Sequence, residues 1–599
     1  MGWRWNELHW KSYWDLTRDV EHQAPKAHSE VCISFDSMSG RKWVRVAVDA
    51  VCKSSEQERQ VESQNNAAPS PTLDFAKAWL EQCRTSHHLC RSMRVTEWMP
   101  SRLLHWPDQD SFRGHLMIRE AKSSHYGVGV QYVSLSHRWG AETSLLQKDD
   151  LRDLREHVDF GALKLSIQDA IQIASHLGYH YLWVDTLCII QDDLEDRALQ
   201  ISQMDKVYVN SALNILASDA SDGTAGCFIS RDRGTEPISL VRLHPNTAFE
   251  SEYTVRNNWE PITRAVEDSV LAQRAWCFQE RILAPRKLHC RESQWYWECR
   301  ESEACEAHSE GNMVWPITTA SGIFDMDSFW AEAKPGANDR MAAGMWEHVV
   351  EQFSELGLTS REDKLRAIAG IAASCERSYP HYRGQYLFGH WRNQLPVSLL
   401  WFGPRGDTKP QRRISRSQAV APSWSWASMD GLIRGGYHGF MTDNYTTDLV
   451  ALVALSDGRT AGFDGMPNDY VRAMTRWGRD TVLHLRGFVV PAVLLPNPPL
   501  AYRLCLRGRE GTPYDVENDT YRLAFLDDET EQYPDTVHCF AIVRGGPGNA
   551  LKAGAIIGLI LVPVPGHARC FCRVGCFALS SPYMEEYFLD ASESIIELV

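Results

Sequence analysis

The sequence predicts an α/β fold with a three-layer core built on a parallel sheet, followed by a mainly helical region and a β-rich carboxyl-terminal region. Two observations carry this prediction. Between residues 132 and 220, short apolar strands alternate with amphipathic helices in the order β-α-β-α-β, which is typical of parallel strands joined by right-handed crossovers, with helices on both faces. Residues 320–400 then show helical periodicity, whereas residues 410–590 are rich in strand-like segments, turns and prolines.

The first strand and the first helix of the core have clear boundaries in the sequence. Residues 132–135 form a short apolar strand that runs into residues 136–140. Ser166 and Asp169 have the spacing of a capping box, and apolar residues then repeat at helical intervals until Gly178. Because glycine commonly terminates helices, the sequence predicts a helix that ends there.

Two further strands and one helix complete the predicted core. The segment YLWVDTLCII, residues 181–190, is nearly continuous in apolar residues and predicts a strand covered on both faces, with Asp185 inside it or at its end. An acidic start at residues 192–193 leads into a helix that extends to Tyr208. The apolar segment ALNILAS, residues 212–218, predicts the third strand.

The carboxyl ends of these strands mark the expected functional site. In parallel α/β folds, ligands bind beyond the carboxyl ends of the strands. The first strand delivers residues 136–140 there, the second delivers residues 185–188, and the third delivers residues 218–219.

The chain divides into six segments by composition. Apolar alternation around a Met-Ser-Gly-Arg turn in residues 30–52 predicts a β-hairpin. The following polar residues contain no aromatic side chain and predict a disordered linker, after which Phe75, Trp79 and Cys83 lie on one amphipathic helix. The predicted segments are an N-terminal β-hairpin region 1–52, a linker 53–72, a helical lead-in 73–127, the α/β domain 128–285, a mainly helical region 286–405 and a β-rich C-terminal region 406–599.

Composition and charge exclude several classes of protein. The 599 residues carry a formal net charge of −15, which argues against nucleic acid as a partner because an acidic surface repels phosphate. The amino-terminal residues lack the apolar core of a secretory signal. The longest apolar run, residues 553–565, is too short to span a bilayer and predicts a buried strand. The 16 cysteines are therefore expected to be reduced thiols in a cytoplasmic protein with no membrane partner.

Three blocks of sequence, taken in order, resemble the fungal heterokaryon-incompatibility (HET) domain. They are YVSLSHRWG at 132–140, the segment 167–193 that contains YLWVDTLCII, and LAQRAWCFQERILAPRKLHC at 271–290. His137 and Arg138 stand where the family often has Tyr-Cys. The resemblance implies nonself recognition in filamentous fungi, in which activation of the domain kills fused incompatible cells. It also implies a regulator or incompatibility partner protein, and a homo-oligomer on activation.

A shorter resemblance concerns the chemistry. The first core strand is similar to the opening strand of Toll/interleukin-1 receptor (TIR) domains, and residues 276–280, WCFQE, resemble the TIR pattern Trp-Cys-x-x-Glu. This implies a flavodoxin/TIR-like core that requires no cofactor and cleaves its substrate NAD, with Glu280 as the catalytic residue. A carboxylate can stabilise the ribosyl cation left when nicotinamide departs. The residues expected to bind NAD are Ser136, Arg138, Trp139, Gly140, Asp185, Arg274 and Trp276.

Each of these residues also has a purely structural interpretation. Glu280 precedes Arg281 on a predicted helix, where a surface carboxylate paired to arginine is commoner than a catalytic one. Asp185 could cap a helix or pair with Arg274. Tryptophans are commonly packing residues, and Cys188 is expected to be a buried thiol rather than a nucleophile.

The rival function is a non-enzymatic interaction module. The chain has 22 tryptophans, and aromatic residues are favoured at interfaces. The α/β core would then self-associate or bind a regulator, and the tryptophan-rich carboxyl-terminal region would supply the recognition surface. Convergence of Asp185, Trp139, Arg274 and Glu280 on one cleft would favour an enzyme instead.

Two groups of cysteine and histidine have the composition of zinc ligands. They are Cys83, His87, His88 and Cys90, and then His289, Cys290, Cys299, Cys305 and His308. Neither group contains paired CxxC knuckles. We therefore predict that these are packing residues and that the chain binds no metal.

Overall fold

A computed structural model gives the fold of the chain. It describes residues 28–37, 40–50, 69–88, 90, 98–109, 111–120, 130–140, 145–222, 224–229, 238–241, 253–255, 266–306, 309, 339–378, 382, 385–403, 412–414, 420–436, 445–446, 450–456, 481–497, 500–506, 521–528, 531–545, 555–580 and 584–599.

Strands and helices are numbered along the chain. The strands are β1 His28–Ser37, β2 Gly40–Ala50, β3 Arg102–His105, β4 Met117–Glu120, β5 Val133–Ser136, β6 Tyr181–Trp183, β7 Leu213–Leu216, β8 Ile238–Val241, β9 Tyr253–Val255, β10 Arg286–Cys290, β11 Trp295–Cys299, β12 Glu303–Cys305, β13 Tyr386–Leu387, β14 His390–Trp391, β15 Arg412–Arg413, β16 Met429–Asp430, β17 Tyr445–Thr446, β18 Val450–Ser456, β19 Val482–Asn497, β20 Leu500–Leu506, β21 Tyr521–Leu526, β22 Thr536–Gly545, β23 Ile556–Pro563, β24 Cys570–Ser580 and β25 Glu593–Leu598. The helices are α1 Pro69–Ser86, α2 Leu151–Leu154, α3 Leu165–His176, α4 Asp185–Cys188, α5 Leu194–Ile201, α6 Met204–Asn210, α7 Ala275–Leu283, α8 Asp339–Ser354, α9 Arg366–Ser378 and α10 Met584–Leu589.

The amino-terminal strands form a sheet of their own. β1 and β2 pair antiparallel, which is the hairpin that the alternation predicts, and the sheet has the order β1-β2-β9-β8. Residues 53–68 of the predicted linker lie outside the described residues. The prediction is wrong for residues 69–72, which belong to α1, because proline is tolerated in the first turn of a helix.

The core is a mixed sheet whose centre is parallel. Its strand order is β12-β11-β10-β7-β5-β6-β3-β4. β5 pairs parallel with β6 and β7, and β7 pairs parallel with β10, so the predicted β-α-β-α-β order is confirmed. Antiparallel strands β3–β4 and β11–β12 add both edges and extend the sheet beyond the predicted domain 128–285. The flavodoxin/TIR-like identity of the core stays a prediction.

The capping box predicted for the first core helix is wrong. Helix α3 begins at Leu165, and its N-cap residue Lys164 makes no side-chain cap. Asp169 does not cap the helix because its carboxylate accepts the backbone N–H of Cys227 at 2.7 Å instead. The helix ends at His176, and Gly178 follows its C-cap residue Leu177 as predicted, with a φ of 81°, a conformation that suits glycine.

The predicted strand at residues 181–190 is also too long. Only β6 is extended, and Asp185 starts the short helix α4. The reason is local, because the Asp185 carboxylate accepts the N–H of Thr186 at 2.8 Å, and a side chain that bonds the adjacent backbone competes with strand pairing. The helix predicted from residue 192 to Tyr208 is two helices, α5 and α6, separated at residues 202–203.

Helices cover both faces of the central sheet. Alternate residues of β5 point to opposite faces, so Val133 and Leu135 join the core cluster that contains α3. Tyr132, immediately before β5, packs in the other cluster with residues of α6, α7 and α9. The core therefore has the three layers that the sequence predicts.

The helical and β-rich regions follow in the predicted order. α8 and α9 lie in the predicted helical stretch, and a sheet with the order β17-β22-β23-β24-β25-β19-β18, with β20 and β21 attached, makes up most of the remainder. The apolar run near residue 555 forms β23, whose first six residues are buried. Of the helices in the described residues, none combines the length and the apolar character needed to cross a membrane.

Candidate active site

Three buried polar side chains line one face of the parallel strands. Ser134 and Ser136 alternate with the apolar residues of β5, and Asn214 lies opposite Ser134 on the neighbouring strand β7. Ser134 Oγ donates to Asn214 Oδ1 at 3.0 Å, and Asn214 Nδ2 donates to Ser136 Oγ at 3.0 Å. The Ser136 hydroxyl also lies 3.3 Å from Asn214 Oδ1, and when Asn214 Nδ2 donates to Ser136 Oγ, the hydroxyl hydrogen can go to a further acceptor.

That further acceptor is Glu280 of helix α7. Only 5% of Glu280 is exposed, and burial raises its pKa to about 7. Hydrogen bonds from the hydroxyls of Ser136 and Tyr208 and the charge of Arg274 lower this pKa, whereas the charge of Asp185 raises it. A carboxyl group that titrates near neutral pH is the kind of group that performs acid–base chemistry in active sites.

Asp185 follows the second parallel strand, and its carboxylate is bonded to Trp139, which follows the first parallel strand. Trp139 Nε1 donates to Asp185 Oδ2 at 2.9 Å, and Thr186 N donates to Asp185 Oδ1 at 2.8 Å. Among the described residues no ion pair joins Asp185 to Arg274. The Arg274 guanidinium instead donates to the carbonyl oxygen of His137 at 3.1 Å.

The imidazole of His137 is the least satisfied group of the site. It is buried, and within the part of the chain that the structure describes neither ring nitrogen has a hydrogen-bond partner. Its Nδ1 lies 3.9 Å from Asp185 Oδ1, and burial lowers its pKa below the usual histidine value. Buried polar atoms are normally bonded, so His137 is an exception among the polar groups of the site.

The structure therefore brings together part of the predicted NAD site. Trp139, Asp185, Arg274 and Glu280 are connected through Ser136, His137 and Tyr208. Glu280 is buried in this group rather than open on a cleft, so the choice between an enzyme and an interaction module stays a prediction.

The remaining predicted residues lie apart from this group. Arg138 is exposed and contributes, after the hydrogen bonds from Thr224, to a lowered pKa of Asp222. Trp276 is partly buried and packs against the large core cluster. Gly140 is partly exposed at the end of the segment that follows β5.

Helix α7 is fixed in place by neighbours on both sides. On one side, Gln279 Oε1 accepts the N–H of Gly370 in helix α9 at 2.8 Å. On the other, Arg281 donates to the buried carboxylate of Glu298 on β11 at 3.0 Å. Since Arg281 is committed to Glu298 and Glu280 is buried, the interpretation of Glu280 as a surface partner of Arg281 is wrong.

Two residues of the site, Tyr208 and His137, are not among the predicted site residues. Tyr208 enters the sequence analysis only as the end of a predicted helix, yet its buried hydroxyl hydrogen-bonds with Ser136 and Glu280. His137 lies in the strand-end segment 136–140, which was the signal that could have selected it. Cys188, in contrast, is buried, and burial raises its pKa to about 12, as fits a structural thiol.

Comparison with known proteins identifies a domain. Residues 132–280 match the family model described as "Heterokaryon incompatibility protein (HET)". The match begins at Tyr132, just before β5, and ends at Glu280, so it encloses β5, β6, β7 and the buried carboxyl group but not the parallel strand β10. No curated protein and no solved structure matches the chain.

Proposed function

We propose that this chain, whose residues 132–280 form a HET domain, acts in fungal nonself recognition by cleaving NAD, with Glu280 as the catalytic residue. The observation that carries the proposal is the buried Glu280 carboxyl group, whose pKa burial raises to about 7 at the carboxyl ends of parallel strands. Sites of α/β folds lie at those ends, and pKa shifts of this kind are concentrated in active sites.

The reaction is hydrolysis of the bond between nicotinamide and ribose. The carbon–nitrogen bond breaks with its electron pair leaving on nicotinamide, and water adds to the ribosyl cation to give ADP-ribose and a proton. Ionised Glu280 stabilises that cation, as carboxylates do in glycoside cleavage. Arg274 would hold the pyrophosphate, and the exposed ring of Trp139 would stack on the substrate.

Access to Glu280 requires movement of the residues that cover it. Glu280 is 5% exposed, whereas Trp139 is 37% exposed and is tied to Asp185 by one hydrogen bond. Release of Trp139 from Asp185 would open the strand ends to NAD. We propose that a partner protein or self-association of the domain triggers this opening, which makes activity depend on assembly.

The direct test is NAD turnover by the full-length chain, free in solution and concentrated on beads. Wild-type protein should release nicotinamide, measured by chromatography, and Glu280→Gln should reduce the rate by at least about 100-fold. Glu156→Gln, which alters an exposed glutamate of the same domain, is the matched control and should retain full activity. Equal turnover by Glu280→Gln and wild type would refute the assignment.

The same proposal predicts a pH dependence. Ionised Glu280 is the active form, and its pKa is about 7. We expect kcat/KM to fall about tenfold per pH unit below that value and to level off above it. A profile that is flat between about pH 5.5 and pH 8 would contradict the role of this carboxyl group.

The second candidate is a non-enzymatic interaction module, favoured by the burial of Glu280. A carboxyl group bonded to Ser136 and Tyr208 also fastens α7 to the sheet, which is a structural role. The tryptophans give this candidate little support, because Trp139 is the one exposed tryptophan among those whose side-chain burial the structure describes. Those of the carboxyl-terminal half, including Trp424 and Trp426, are buried. Absence of NAD turnover by wild type on beads would favour this function.

A further inference from the structure

Two groups of cysteine and histidine that are far apart in the sequence meet at one point. Cys83 lies in the last turn of α1, His87 and Cys90 follow that helix, and Cys299 ends strand β11. Their four ligand atoms all lie within 4.8 Å of one another. Each of the two predicted groups therefore contributes to a single cluster.

The spacing of these atoms suits one ion held by four ligands. Zinc binds thiolate sulfur at about 2.3 Å and imidazole nitrogen at about 2.0 Å in tetrahedral geometry, which puts sulfur and nitrogen about 3.6 Å apart. His87 Nδ1 lies 3.3 Å from Cys299 Sγ. Three of the four residues are buried and His87 is partly buried, as expected of a site closed to solvent.

A buried cation beside the cluster would complement negatively charged sulfurs. Arg286 is 6% exposed, and within the described ranges no carboxylate lies within ion-pair distance of it. Its guanidinium donates to Cys83 Sγ at 3.1 Å, to the carbonyl oxygen of Cys90 at 3.3 Å and to that of Ala212 at 3.3 Å. A buried charge requires a partner, and a thiolate of the cluster is the anion available to Arg286.

We propose that Cys83, His87, Cys90 and Cys299 bind one zinc ion. The three thiols release their protons on binding, and three thiolates, one Zn²⁺ and the Arg286 guanidinium then balance to a neutral buried site. Because all four positions are filled by protein, the site is structural rather than catalytic. This proposal does not depend on the proposed NAD activity.

The ion would fasten helix α1 to strand β11, near one edge of the core sheet. Trp79 of α1 already packs against Trp297 of β11, with ring centroids 6.5 Å apart. A metal bound between α1 and the end of β11 would fix this contact covalently through its ligands. Loss of the ion should therefore release α1 from the sheet.

Metal content of the full-length chain tests the proposal. Protein purified after growth with added zinc should contain about one zinc ion per chain, measured by inductively coupled plasma mass spectrometry. Cys299→Ser and His87→Ala should contain close to none. His87→Cys, which restores a fourth ligand, should retain zinc, so that a loss caused by poor folding can be separated from a loss of ligand.

The chain offers two matched controls. His88 is exposed beside His87 and lies outside the cluster, and Cys305 is buried with Val266 and Tyr296. His88→Ala and Cys305→Ser should keep the zinc content of wild type. Cobalt added to chelator-treated wild type should give the thiolate charge-transfer and visible bands of a tetrahedral site.

Three results would overturn the proposal. They are wild-type protein without zinc and without cobalt bands, a loss of zinc in His88→Ala as large as in His87→Ala, and full occupancy by a different metal.

Discussion

Replacing Asp527 with asparagine is expected to lower the free energy of unfolding by about 4 kcal/mol. Asp527 and Arg573 are 0% exposed, and Arg573 Nη1 donates to both carboxylate oxygens at 2.6 Å. Arg413 Nη2 donates to the same carboxylate at 2.7 Å. The Arg573 guanidinium lies over the ring of Trp401. Removing the charge of Asp527 leaves this guanidinium buried without a counter-ion, and a buried unpaired charge is among the costliest defects in a protein.

Chemical denaturation followed by tryptophan fluorescence measures this effect, since Trp401 stacks on Arg573. Asp535→Asn is the matched control, because Asp535 is exposed in the same region and its loss should change stability little. Equal transition midpoints for the two variants would show that the Asp527–Arg573 pair does not stabilise the fold.

Replacing Glu280 with glutamine is expected to stabilise the protein above neutral pH. The pKa of Glu280 in the folded chain is about 7, above the value near 4.5 of an unfolded chain, so the folded state binds the proton more tightly. Wild type therefore loses stability as pH rises from about 4.5 through 7, and the loss reaches about 3 kcal/mol at pH 8. Glutamine cannot ionise, and its amide can hydrogen-bond with Ser136 and Tyr208 as the protonated acid does.

The measurement is the free energy of unfolding of wild type and Glu280→Gln at about pH 5 and about pH 8. The advantage of the variant should be small at the lower pH and large at the higher one, whereas Glu156→Gln should follow wild type throughout. If the free energies of unfolding of wild type and Glu280→Gln differ by the same amount at both pH values, Glu280 is not held in its protonated form. If the stabilised variant also loses NAD turnover, misfolding is excluded as the cause.

Local periodicity in the sequence predicted the centre of the core and missed its edges. Helix α3 and strand β7 follow from spacing within a dozen residues, and both are present. Strands β3–β4 and β11–β12 join the sheet across long separations in the chain, and a periodicity does not say which distant strand completes a sheet. The strand predicted at 181–190 is present only as β6, residues 181–183, because apolar runs of this length suit either a buried strand or a buried turn of helix.

The sequence predicted where the site lies, but it predicted only some of the residues that form the site. Glu280 was selected by resemblance, but its burial depends on Gln279 and Arg281 being engaged elsewhere, by α9 and by Glu298. The hydrogen bonds of Tyr208 are fixed by packing between helices, which spacing along one helix does not reveal. The cysteine cluster was missed because Cys299 is far from Cys83 in sequence.

The larger core cluster has a consequence for how this protein can be dissected. It holds Trp183 and Tyr208 of the HET domain together with Trp346 of the helical region and Phe540 of the last sheet. A fragment cut at residues 132 and 280 would expose that shared interior to water and discard β3, β4, β10, β11 and β12, five of the eight strands of its own sheet. Such a piece would tend to aggregate, so the activity of these residues has to be measured in a chain that retains the helical region and the last sheet.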